Sequence, residues 1–189
     1  MNKILLSAAL LGFSSWVVAA PGNIAKGEKL ATEGYCYTCH GDKGVAPSRN
    51  APSLAGQSAS YTAKILKEYK EGKLKLDNKS LGMQGITEPM TSQDIADISA
   101  YYAAQKRAPS NVKGKTPASA AGCVGCHPVS GAPGMGGAAP SLSGMSPGYL
   151  NRQLTAFRDG KRGDAMMNGL MSKLTDGQIE EISHYYGGQ

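Results

Sequence analysis

The chain has 189 residues, 41% hydrophobic and 18% charged, with a net charge of +6 and a pI near 9.1. That balance describes a folded chain rather than a disordered one, and beyond residue 19 no apolar run is long enough to cross a bilayer. The basic excess raises nucleic acid or an anionic surface as a partner, but no motif in the chain supports either.

Residues 1–19 read as an export signal. Lys3 supplies the positive start, Ile4 to Val18 the apolar stretch, and Val17 and Ala19 the small residues before the cut. The mature chain is then expected to begin at Ala20, because a cut one residue later would leave Pro21 just past the bond. An uncleaved anchor is the alternative. The segment has no cysteine, which excludes a lipid-anchored start, and loss of Lys3 takes the charge from +6 to +5. The expected location is the periplasm. The mature part, about 170 residues, suits one ordinary domain or two small ones.

From there the chain reads as a duplication. A first helix is predicted over Asn23–Gly34, followed by Cys36-Tyr37-Thr38-Cys39-His40 and a polar loop ending in Pro52-Ser53-Leu54. A middle helix is predicted over Ser60–Glu71, capped by Ser58. Thr91, with Asp94 three residues on, opens a final helix whose apolar stripe is Ile95, Ile98, Tyr101 and Tyr102. Residues 108–113 read as a linker.

The pattern then returns. A helix starting at Thr116 with Pro117 at its first position precedes Cys123-Val124-Gly125-Cys126-His127, and Pro140-Ser141-Leu142 follows. A helix over Pro147–Asp159 is capped by Ser146, and one from Thr175 carries Ile179, Ile182, Tyr185 and Tyr186. The tyrosines are read as core between first and last helices. The offset between halves is 87 at the cysteines, 88 from Pro52 to Gly72 and 84 at the last helix. No strand pattern is evident.

The two C-x-x-C-H boxes use every cysteine and two of the three histidines. Two thiols on one helical turn can each add to a haem vinyl group, and the adjacent histidine can ligate the iron. Other readings are a dithiol redox site, a zinc site, or two disulfides. A redox pair would sit near a strand–helix unit, and the 84 positions between Cys39 and Cys123 are wide for zinc. Disulfides leave a histidine after both pairs unexplained. Under the haem reading, His40 and His127 are the proximal ligands, and the propionates of two haems would cancel most of the basic charge.

Each iron then needs a ligand on its other face. Met83 and Met167 fall in register, each twelve residues before the matched Ile95 and Ile179, in what reads as a loop. Met166 is the main rival in the second half. His184 matches Ala100 and reads as a surface or interhelical residue. Two six-coordinate irons offer no open site, which favours electron transfer over catalysis. Lys64, Lys67, Lys70, Lys73 and Lys75 are either a docking patch or, with Glu68 and Glu71 between them, a solvated face.

Two such units in tandem, Leu54-Ala55-Gly56-Gln57 and the phrase TSQDIADISAYYAAQ at 91–105 resemble the dihaem cytochrome c4 family over essentially the whole mature chain. The resemblance implies an all-α fold of two tandem class I cytochrome c domains, residues 20–107 and 114–189, each wrapped around a covalently bound haem c. It implies Cys36, Cys39, Cys123 and Cys126 as attachment points and His40, Met83, His127 and Met167 as axial ligands. It also places the carbonyls of Pro52 and Pro140 where they accept from the histidine rings. The second half departs from the first: Pro128 stands for Gly41, and Met145-Ser146 where Gly56-Gln57 would be expected. Different potentials for the two haems are therefore expected.

The function so implied is a periplasmic electron carrier between a quinol–cytochrome c oxidoreductase and a terminal oxidase or reductase. It has no nucleic-acid partner and no membrane span in the mature chain, with peripheral membrane contact left open. The alternative is the dihaem subunit of a flavocytochrome c sulfide dehydrogenase. A dihaem peroxidase would require an open iron face.

Overall fold

The computed structural model describes residues 20–47, 51–74, 78–107 and 114–187, the side chains of 78–81 excepted. The export signal and the linker lie outside the described residues. Eight α-helices are described: α1 (Ile24–Glu33), α2 (Tyr37–His40), α3 (Ala59–Lys70), α4 (Asn78–Thr87), α5 (Ser92–Ala104), α6 (Pro147–Arg158), α7 (Ala165–Met171) and α8 (Asp176–Gly187). No strand is present among the described residues, only an isolated bridge between Gly134 and Ala139. None of the helices is long and apolar enough to cross a membrane.

The helix starts are set locally, by side chains that take up orphan amides. Asn23 accepts from Lys26, Ser58 from Tyr61 and Ser146 from Tyr149. Thr91 and Asp94 bond each other's backbone amides at the head of α5. Thr175 and Gln178 do the same before α8, at 3.0 and 3.3 Å.

Each half has its own core. Ala31, Leu66, Ile95, Ile98, Tyr101 and Tyr102 cluster in the first. Leu150, Leu154, Met171, Ile179, Ile182 and Tyr186 cluster in the second. Ile179, Ile182 and Tyr186 are almost completely buried, each worth roughly 2 kcal/mol of transfer free energy. In the first half α1 lies so close on α5 that a Cβ at Gly27 would stand 2.0 Å from the Asp97 carbonyl oxygen.

Two expectations are corrected. The helix predicted from Thr116 does not form; Pro117 leads only into a 3-10 turn at Ala118–Ala120. Five residues separate Pro117 from Cys123, the last of them Gly122, which is too short for α-helical bonding to repay its nucleation. Met83 and Met167 lie on helices, α4 and α7, rather than in loops. Glycines 82, 85 and 169 weaken the helical signal in both segments. Asp164 caps α7, accepting from the Met167 amide, and Thr87 bonds back to the Met83 carbonyl.

The register after each Pro-Ser-Leu loop also shifts from the sequence expectation. Gly56 donates to the Tyr102 carbonyl and Gly144 to the Tyr186 carbonyl, both with positive φ. Gly144 therefore matches Gly56, and Met145 alone replaces Gln57. The exchange of Gly41 for Pro128 means the backbone differs between the two copies at this point, because Gly41 sits at φ 77°, which proline cannot reach.

Candidate functional site

Two cavities, one per half, gather the residues singled out from the sequence. Cys36, Cys39, His40, Pro52 and Met83 line the first, of about 300 Å³. Cys123, Cys126, His127, Pro140 and Met167 line the second, of about 230 Å³. The remaining walls are mostly apolar in both.

One turn of chain carries each box. The histidine amide donates to the carbonyl of the first cysteine, at 3.0 Å for His40 on Cys36 and 2.8 Å for His127 on Cys123. His40 Nδ1 lies 2.9 Å from the Pro52 carbonyl oxygen, and His127 Nδ1 lies 2.8 Å from that of Pro140. A carbonyl can only accept, so Nδ1 carries the proton in each ring and Nε2 keeps its lone pair. Burial pushes both imidazoles below their usual 6.5, against a smaller opposing pull from the proline carbonyls, so both are neutral at pH 7. Tyr186 donates to the His127 carbonyl at 2.8 Å, fixing the box from α8.

Burial pushes the Cys36 thiol up, and contact with Tyr102 only partly offsets it. Cys123 is pushed up by burial and by its neighbour Cys126. Protonated, half-buried thiols are unlike the activated thiolate of a dithiol redox site. None of the four cysteines is in a disulfide. Among the described residues no group of three or more His, Cys, Asp or Glu could hold a metal ion, which leaves zinc without a cage. A thiol pair beside a neutral imidazole, with a thioether in the same apolar cavity, is a donor set that fits haem c.

Several methionines other than Met83 and Met167 share these cavities. Met90 lines the first, and Met135, Met145, Met166 and Met171 line the second. Met166, at 59% exposure, faces water far more than Met171, at 2%. His184 is exposed beside Glu180 and lines neither cavity.

Along the lysine stripe, acidic side chains are interleaved as the solvated-face reading expects. Lys64 pairs with Glu68 and Asp164, while Lys67 and Lys73 share Glu71. Lys70 donates to the carbonyls of Glu88 and Met90. Lys75 lies outside the described residues.

The join between the halves escaped the sequence reading. Tyr61, Ile65, Met145 and Tyr149 line both cavities, so the two sites share a wall. Gln57 bonds both the amide and the carbonyl of Ser141. Arg107 donates to the carbonyls of Ala55, Ser141 and Ser143, and burial lowers its pKa to about 10, still cationic at neutral pH. Arg162 donates to Tyr61 of the other half. The available signal was mismatch within the repeat: Gln57 against Met145, and Leu74 against Arg162.

Comparison with known proteins agrees with this geometry. The family model described as cytochrome c matches residues 24–104 and again 112–186. Cytochrome c4 of Stutzerimonas stutzeri is 36% identical over 100% of this chain and 99% of its own. A crystal structure of reduced recombinant cytochrome c4 from Pseudomonas stutzeri superposes with a TM-score of 0.73 at 33% identity, covering 89% of this chain and 99% of that one. A thiosulfate dehydrogenase electron acceptor of Thiomonas intermedia is 28% identical over 98% of this chain and 90% of its own.

Proposed function

Because this chain belongs to the cytochrome c family, in its dihaem cytochrome c4 branch, and so carries two covalently bound haem c groups for electron transfer rather than catalysis, we propose that it is a periplasmic carrier. It takes electrons from a quinol–cytochrome c oxidoreductase and delivers them to a terminal oxidase or reductase. The observation that carries the reading is the shared wall: Tyr61, Ile65, Met145 and Tyr149 line both cavities, which places the two candidate ligand sets side by side.

In this reading Cys36 and Cys39 tether one haem and Cys123 and Cys126 the other. His40 and His127 offer Nε2 to the irons, oriented by Pro52 and Pro140. Met83 and Met167 would supply the thioether ligands, soft donors that would favour a raised potential. Haem iron supplies the one-electron Fe(III)/Fe(II) couple. The protein's part is to hold the ligands in place and keep water away from them.

The test is a reconstituted chain: purified quinol–cytochrome c oxidoreductase, this protein and oxidase-bearing membranes. Turnover should depend on the added cytochrome. Failure to be reduced by that complex, with rapid reduction by a thiosulfate-oxidising dehydrogenase, would shift the assignment. That second reading is favoured by the resemblance to thiosulfate dehydrogenase electron acceptors. It stands beside the flavocytochrome partnership that the sequence suggested as an alternative, which co-purification with a flavin subunit would support.

A further inference from the structure

Arg162 is 7% exposed, yet its guanidinium makes no ion pair among the described residues. One terminal nitrogen donates to the Gln153 side chain at 2.7 Å and the other to the Tyr61 hydroxyl at 2.9 Å. The guanidinium carbon stands 4.5 Å over the Phe157 ring. Among the described residues, two of its five N–H donors are used, both on neutral partners. The nearby carboxylates are engaged elsewhere: Asp164 caps α7 and pairs with Lys64, and Glu68 pairs with the same lysine.

A buried cation without a counter-charge is costly, and proteins seldom keep one unless an anion completes the site. Arg162 lines the second cavity together with Cys123, His127 and Met167. A haem c held there would carry two propionate carboxylates, the counter-charge that Arg162 lacks. Among the described residues, no Lys or Arg lines the first cavity. After the matched Gly72 and Gly160, both at positive φ, Lys73 bonds back to Glu68 and Lys161 to Ala156 at the same offset. The next residue is Leu74, 4% exposed, where the second half has Arg162.

We infer that Arg162, held from the other half by Tyr61, is the positioning residue that neutralises a haem carboxylate in the second cavity and raises the potential of that haem alone. A fixed positive charge favours the form of the iron centre that has gained an electron, and a paired propionate no longer opposes that gain. The device is asymmetric because, among the described residues, a buried arginine lines the second cavity and not the first. It also crosses the join, so a side chain of the first half tunes the second haem.

Three variants of the holoprotein test this: Arg162→Gln, Arg162→Lys and Tyr61→Phe. Midpoint potentials are read for each haem separately, through the resolved haem methyl resonances during a redox titration. Arg162→Gln should lower the potential of the second haem and leave the first unchanged, with Arg162→Lys recovering most of the shift. Tyr61→Phe keeps the ring and should give a smaller shift of the same sign at the second haem. Second-haem potentials unmoved in Arg162→Gln and Tyr61→Phe, with only the melting temperature lowered, would overturn the inference. So would a shift shared equally by both haems. If Arg162→Gln does not fold, Tyr61→Phe and Arg162→Lys decide by the same readout.

Discussion

Gln57 grips Ser141 by both sides of its backbone: the side-chain oxygen accepts from the Ser141 amide at 2.9 Å and the side-chain nitrogen donates to its carbonyl at 3.1 Å. Gln57 is 3% exposed and Ser141 fully buried, so neither bond competes with water. Truncation in Gln57→Ala would strand a buried amide. We expect a loss of about 2–3 kcal/mol and unfolding that separates into two transitions. Urea titration followed at both haem bands would show it, and a single unshifted transition would refute it.

Gly27 sets the spacing of α1 on α5. In Gly27→Ala the new Cβ would fall 2.0 Å from the Asp97 carbonyl and 2.8 Å from the Tyr101 Cβ, backbone and rigid ring stem rather than a flexible tip. The helices must separate, at a cost of about 3 kcal/mol. Thermal unfolding should show the first half melting earlier while the second half holds.

Asp97 gives a pH dependence with a defined sign. The Asn23 amide, 2.7 Å from Asp97 Oδ1, holds its carboxyl below the usual 3.8, with Gln93 assisting against the effect of burial. A depressed folded-state pKa means the unfolded chain binds the proton more readily. The contribution is therefore complete above about pH 4 and is lost as pH falls through the lower folded value. Asp97→Asn should be less stable than the parent at pH 7, with the gap closing toward pH 3. A constant gap across that range would show that the charge is irrelevant.

The lysine stripe on α3 should matter little. Lys67 and Lys73 are 69% and 68% exposed and both lean on Glu71. Replacing either with Gln should change stability by less than about 0.5 kcal/mol. Electron-transfer rates with an acidic partner should retain their ionic-strength dependence in both variants. Stopped-flow mixing at two salt concentrations is sufficient to check this.

What could be read from the chain was what is local. A cap and its amide are three residues apart, as at Ser58 and Tyr61, and a C-x-x-C-H box states its own chemistry. The repeat then extended that reach, bringing Met83 and Met167 into the cavities of His40 and His127. The same repeat misled where the copies diverge. It suggested a full helix before Cys123, where too few residues stand behind Pro117, and it hid α4 and α7 behind their glycines. The join between halves was illegible because Gln57 finds Ser141 across 84 positions and Tyr61 finds Arg162 across 101. No periodicity encodes such pairings; they arise only once two finished surfaces meet.

The wall common to both cavities also ties the two copies of the repeat to each other. Met145 and Tyr149 close off the first cavity from the second half, as Tyr61 and Ile65 close off the second from the first. Either copy expressed alone would expose one flank of its porphyrin to solvent. Each half thus lends the other part of its cavity wall, and neither can be deleted or swapped without its sibling losing that shelter.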